Sequence, residues 1–172
     1  ILPSLVAGAE LGQEMLEVGP GPGAATAWLR HRVARLVVLE VDAEAAGKLA
    51  DTYAGTNVEV VTGDATEMVF GDASFDSAGS FTMLHHVPTA AQQNQLLAEV
   101  WRVLRPGGVL IGSDSVPSDG LHQFHAGDTY NPIEPSGLLV RLQTLGFDRI
   151  TVTVADRLGF VAYKPGTMAP AA

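Results

Sequence analysis

The 172-residue chain contains no cysteine. That excludes disulfides, thiolate nucleophiles and cysteine-based zinc sites together, and it fits a cytoplasmic location. Aromatic residues are scarce at 6%, and charged residues make up 17% against 47% hydrophobic. Such a chain folds around a core rather than staying disordered. No uninterrupted apolar run reaches the roughly 18 residues that a membrane span requires, and no signal-peptide pattern is present. A starting methionine is also lacking, and the opening "ILPSLVAGAE" is what a fragment or a processed product would show. Positive charge is in short supply: ten Lys and Arg face nineteen Asp and Glu, for a net charge of −9. Phosphate backbones reward clustered Lys and Arg, so nucleic acid is disfavoured as a partner. The one modest basic group, Arg30, Arg32 and Arg35, reads as a solvated helix end.

The length suits one domain over residues 1–172. Along it, apolar runs alternate with helix-like segments. "EMLEV" (14–18), "RLVVLEV" (35–41), "NVEVV" (57–61), "SFDSAGSF" (74–81) and "VLIGSD" (109–114) read as strands. Helices are expected over 23–32, 42–53, 89–104 and 135–147. The third of these carries Leu96, Leu97, Val100, Trp101 and Leu104 at helical spacing and is stopped by "RPGG". Trp28 and Trp101 fall at core positions of their helices and read as packing residues. Near-continuous hydrophobic strands between helices predict a doubly wound α/β fold around a mostly parallel sheet. "DRITVTVAD" and "LGFVAYK" predict a closing hairpin, and residues 115–134 a long loop.

Three glycines and two prolines alternate in "EVGPGPGAA" (17–25) between the first strand and the first predicted helix. Glycine there lets a ligand approach the backbone, and a helix N-terminus adds N–H donors. The loop alone leaves the ligand open, since Gly19, Gly21 and Ala24 also satisfy the dinucleotide pattern G-x-G-x-x-G/A. A tight turn without a ligand is a further reading. Glu17, at the strand tip, would repel a pyrophosphate and welcome an ammonium group. Glu40 ends the second strand, where a carboxylate can accept both hydroxyls of a ribose. Asp42 competes for that role but reads as a helix N-cap. Asp64, in "TGDA", can accept from an adenine amino group, with the Ala65 N–H serving a ring nitrogen.

In this order the motifs resemble those of the class I S-adenosylmethionine-dependent methyltransferases. "EVGPGPG" is similar to that family's first motif, "VVLEVD" to its acidic second, "TGDA" to its third and "SFDSAGSF" to its fourth. "WRVLRPGGVLIGSD" and the terminal hairpin complete a resemblance that covers residues 14–164. It implies a seven-stranded sheet of order 3-2-1-4-5-7-6 with strand 7 antiparallel, and S-adenosyl-L-methionine as cofactor. By position, it implies that Glu17 contacts the methionyl amino group, directly or through water. Gly19, Gly21 and Gly23 would pack under methionine and ribose, Glu40 would bind the ribose and Val41 would lie on the adenine. Asp64 and Ala65 would read the adenine edge, and Phe81 would offer its carbonyl to the amino group. Pro20 and Pro22 depart from the pattern and remove two backbone donors. With about a dozen residues before the first strand, the chain is also expected to lack the N-terminal cap of many relatives.

Methyl transfer from a sulfonium mainly needs proximity, alignment and a water-poor pocket, with a base where the acceptor must lose a proton. His85 and His86 follow the fourth strand and are the candidate bases; packing and capping are their alternative roles. His125 and Tyr130, in "LHQFHAGDTYNP", are candidate substrate contacts. His122, His125 and Asp128 have too few placed ligands for a metal site, and no metal is expected. The expectation is methyl transfer to a small-molecule acceptor, without membrane or nucleic acid. A nicotinamide oxidoreductase and a non-catalytic nucleoside-binding protein are the alternatives.

Overall fold

Residues 2–116 and 129–166 are described by a computed structural model of the chain. The first element is a short helix, α1 (Leu2–Val6), which the sequence pattern did not announce. Then follow β1 (Glu14–Val18), α2 (Ala24–Leu29), β2 (Arg35–Glu40), α3 (Ala43–Thr52), β3 (Val58–Thr62) and β4 (Phe75–Phe81). A turn of 3-10 helix (Leu84–His86) leads to α4 (Ala90–Val103), β5 (Leu104–Asp114), α5 (Pro135–Thr144), β6 (Asp148–Val154) and β7 (Leu158–Tyr163).

The seven strands form one sheet in the order β3-β2-β1-β4-β5-β7-β6. All pairs from β3 to β5 are parallel, while β7 runs antiparallel to both β5 and β6. The order and the reversed strand are those expected. Side chains alternate between two cores because successive residues of a strand face opposite sides. Leu16, Val18, Val37, Leu39 and Ala78 meet Leu97 and Val100 of α4 and Leu138 and Leu142 of α5 on one face. Met15, Leu36, Val38 and Ile111 meet Leu29 of α2 and Leu49 of α3 on the other. The edge strands β3 and β6 are only partly covered.

The largest difference from the expected boundaries is at the start of β5, while α2 and α5 each end three residues early. The "RPGG" segment, expected as a turn before the strand, lies within β5. Leu104 pairs with Phe75 of β4, the Gly107 N–H donates to the Lys164 carbonyl and the Lys164 N–H donates to Gly108. The hairpin strand thus draws the turn into the sheet, and Gly107 accommodates the bend at φ 83°.

A charge cluster closes the opposite end of the sheet. Asp76 accepts from the backbone N–H groups of Gln13 and Glu14 and from Arg105, while Glu14 accepts from Arg35 and Arg105. Burial pushes the Asp76 carboxyl up, but these donors outweigh it and hold it below the usual carboxylate range. Arg35 belongs to this cluster, whereas Arg32 lies over the Trp28 ring, so these two arginines serve separate contacts.

Candidate active site

At the carboxyl ends of the parallel strands lies a cleft of about 1130 Å³. Parallel strands place their connecting loops there, which is why open α/β sheets bind ligands at that edge. Gly19 and Gly21 line it after β1, Glu40 and Val41 after β2, Asp64 and Ala65 after β3, and Phe81 to Met83 after β4. Ser113 of β5, His86 and Pro3 of α1 also line it.

The three loop glycines have left-handed φ angles of 62°, 53° and 84°, but for different reasons. A Cβ on Gly19 would strike Met83, and one on Gly23 would press on Leu49. At Gly21 a Cβ would meet nothing, so this backbone stands open to the cleft. The Gly19 N–H donates to Leu39 and the Gly23 N–H to Pro20. With prolines at 20 and 22, only Gly21 of residues 19–23 keeps an N–H without a backbone acceptor among the described residues. That is a poor cradle for a diphosphate, which calls for several N–H groups.

Glu17 lies beneath the loop, 1% exposed, and is not itself part of the cleft wall. Its Oε2 accepts from Thr26 Oγ1 at 2.7 Å, and its Oε1 has no hydrogen-bond partner among the described residues. Burial pushes this carboxyl up to about 7, with the Thr26 hydroxyl opposing. Glu40 is nearly buried, and its Oε1 accepts from the Asp42 N–H at 3.0 Å. Asp42 caps α3 by accepting from the Ala45 N–H at 2.7 Å and lies outside the cleft wall. Asp64 is exposed, and its Oδ1 accepts from the Thr66 N–H and hydroxyl. Val41 is 70% exposed, an apolar surface available to a flat ring.

The two histidines diverge. His86 is exposed on the cleft wall. His85 is buried, its Nδ1 hydrogen-bonded to Asp114 Oδ1 at 2.5 Å. Its carbonyl accepts from the Asn131 N–H, and the Tyr130 ring packs edge-on against it at 5.7 Å. Buried Gln93 donates to the carbonyls of Leu84 and Asn131, fixing the same corner. Tyr130 therefore packs behind the wall, and burial and the Asp114 charge push its hydroxyl above the usual phenol range. His125 lies outside the described residues, as do His122 and Asp128. Among the described residues no group of three or more His, Asp and Glu could hold a metal ion. No helix among them is long and apolar enough to cross a membrane.

Three residues of this region were not singled out from the sequence: Asp114, hydrogen-bonded to the His85 ring, and Thr82 and Arg157, which line the wall and are joined by a hydrogen bond from the Arg157 guanidinium to the Thr82 hydroxyl. Asp114 had a readable signal, an acid at the tip of a strand as at Glu40. Thr82 and Arg157 had none, because their relation depends on how the closing hairpin folds back.

A family profile described as "Methyltransferase domain" matches residues 16–112. The chain is 32% identical over 124 residues to phthiotriol/phenolphthiotriol dimycocerosates methyltransferase 1 of Mycobacterium ulcerans, covering 71% of this chain and 45% of that protein. It is 29% identical over 155 residues to a probable S-adenosylmethionine-dependent methyltransferase of Mycolicibacterium smegmatis, covering 86% of this chain and 55% of the relative. The chain thus spans about half the length of these relatives. A crystal structure of a Methanosarcina mazei S-adenosylmethionine-dependent methyltransferase superposes with a TM-score of 0.79 at 22% identity, covering 96% of this chain and 99% of that one.

Proposed function

Since the chain belongs to the class I S-adenosylmethionine-dependent methyltransferases, we propose that it transfers a methyl group to a small-molecule acceptor held where β4 and β5 end. The observation that carries the reading is the pairing of an open Gly21 backbone with an orphaned, buried Glu17 carboxylate oxygen. A buried carboxylate oxygen without a partner is costly unless a donor arrives, and an ammonium group supplies one, directly or through water. A diphosphate supplies none.

In this reading Glu17 and the Phe81 carbonyl hold the methionyl amino group, and Gly19, Gly21 and Gly23 shape the floor beneath methionine and ribose. Glu40 accepts from the ribose hydroxyls through the oxygen that does not cap Asp42. Val41 covers the adenine, while Asp64 and the Ala65 N–H read its edge. When bound, S-adenosyl-L-methionine supplies an electrophilic methyl group. The chain's part is alignment and exclusion of water. His86, on the cleft wall, can take a proton from an oxygen or nitrogen acceptor. His85 is the positioning residue, clamped by Asp114 and setting the turn that presents His86. The small-molecule reading is supported by the net charge of −9 and by the M. ulcerans relative, named for phthiotriol and phenolphthiotriol dimycocerosates.

Calorimetric titration with S-adenosylhomocysteine, with NAD as parallel control, tests this. Micromolar binding of the former alone is expected. At pH 7 binding should also release about half a proton, because a carboxyl that titrates near 7 in the empty site ionises beside an ammonium. Binding of NAD alone, or of neither, overturns the reading.

A further inference from the structure

The cleft wall is electrically lopsided. Its carboxylates, Glu40 and Asp64, stand at the β2 and β3 tips, and its only Lys or Arg among the described residues, Arg157, stands at the other end. Arg157 occupies the turn between β6 and β7, where its carbonyl accepts from the Ala155 N–H. The next residue, Leu158, pairs with Asp114 at the tip of β5. The root of the arginine is therefore fixed two strands beyond β4, on the far side of the sheet centre from the glycine loop.

Its guanidinium donates through Nη2 to the Thr82 hydroxyl. Thr82 itself sits at φ 57°, a left-handed conformation that β-branched residues avoid, and its N–H donates to the Ser113 carbonyl. Strain of this kind persists only where surroundings enforce it and tends to gather at ligand sites. Here it aims a hydroxyl at the arginine.

No carboxylate pairs with Arg157 among the described residues. Arg30, Arg32 and Arg141 also have no acidic partner among the described residues, but of these unpaired arginines only Arg157 lines the cleft. A guanidinium presents five donors in a planar fork that matches a carboxylate. Beside His86, Gln92 and Ser113, this end of the wall presents an apolar surface from Pro3, Met83, Val87, Pro88 and Leu96.

We infer that Arg157 recognises a carboxylate, and that the methyl acceptor is an apolar carboxylic acid whose chain lies on that apolar wall. The inference rests on the methyl-transfer reading of the same cleft. The cofactor's own carboxylate is the other possible source of this chemistry, and the experiment separates the two. Protein saturated with S-adenosylhomocysteine is titrated with octanoate and, as the matched uncharged probe, octan-1-ol. Octanoate is expected to bind at least about tenfold more tightly. Arg157→Gln should abolish that advantage, Arg157→Lys should keep part of it, and affinity for S-adenosylhomocysteine should stay within about twofold. Equal binding of the two probes to the wild type, or an advantage that survives Arg157→Gln, overturns the inference. So does a variant that loses S-adenosylhomocysteine affinity while octanoate binding is unchanged, which assigns the arginine to the cofactor. If the wild type does not bind S-adenosylhomocysteine, the methyl-transfer reading fails separately, and the octanoate comparison on the protein alone still decides the role of Arg157.

Discussion

Glu17 illustrates how one buried side chain sets both a binding preference and a pH dependence. Its carboxyl is pushed up to about 7 in the folded protein by burial. A raised carboxyl keeps its proton longer folded than unfolded, so stability is greatest below the ordinary carboxyl range and falls as pH rises. The loss spans roughly pH 4.5 to 7 and amounts to about 3 kcal/mol. Glu17→Gln should remove that slope in denaturant unfolding of the ligand-free protein, making the variant more stable than wild type at pH 8 and similar at pH 4.5. Glu40 governs affinity. Glu40→Ala should weaken S-adenosylhomocysteine binding by about 1–3 kcal/mol through loss of a charge-assisted hydrogen-bond pair, read by calorimetry. Unchanged affinity would remove Glu40 from the ribose site. Both acids were readable from position alone, because a carboxylate at the tip of a buried strand is costly without a use. That Glu17 points under the loop, toward Thr26, was not readable, since it follows from strand parity within the assembled sheet.

At the scale of elements, α4 supports the acceptor end of the cleft. Thr89 accepts from the Gln92 N–H and opens the helix, Gln93 ties the histidine turn to Asn131, and Leu96 reaches the cleft wall. Thr89→Ala should cost about 1 kcal/mol of stability by leaving an N–H of the first turn uncapped, measured by chemical unfolding. A larger loss of acceptor binding than of cofactor binding should accompany it, because α4 carries the acceptor wall and not the glycine loop. This helix was the clearest in the sequence, its apolar spacing and its Pro-Gly stop both being local signals. The 3-10 turn of His85 and His86 was not: two adjacent histidines look alike in sequence, and only packing buries one and exposes the other. The short α1 carried too few residues for a periodic signal, and its place follows from contact with the hairpin, where Leu5 packs over Gly159.

Across the whole molecule, the two ends of the sheet respond oppositely to acid. The Asp76 carboxyl is held below its usual range, so its contribution is present above about pH 4 and is lost as pH falls through the folded value. Glu17, at the other end, gains as pH falls toward 4.5. The ligand-free protein should therefore be most stable near pH 5, with a fall on either side. Asp76→Asn should cost about 1–3 kcal/mol at pH 7 through loss of its charge-assisted bonds to Arg105 and the β1 backbone. Thermal unfolding should show that difference shrinking as pH falls below about 4 and vanishing only once the wild-type carboxyl is itself protonated, below its lowered folded value.

The sequence by itself determined the order of the strands and of helices α2 to α5, the closing hairpin, the glycine loop and the acids at the tips of β1, β2 and β3. Each of these is a local feature: hydrophobic period, turn chemistry, or a charged residue at the end of a buried run. The tertiary structure alone decided which glycine stands open, which histidine faces the cleft, and that Asp114 clamps the other. It alone brought Arg157 against Thr82 across 75 residues of chain. Those relations exist only once β7 has folded back beside β5, and no local pattern encodes a contact made by closure of the sheet.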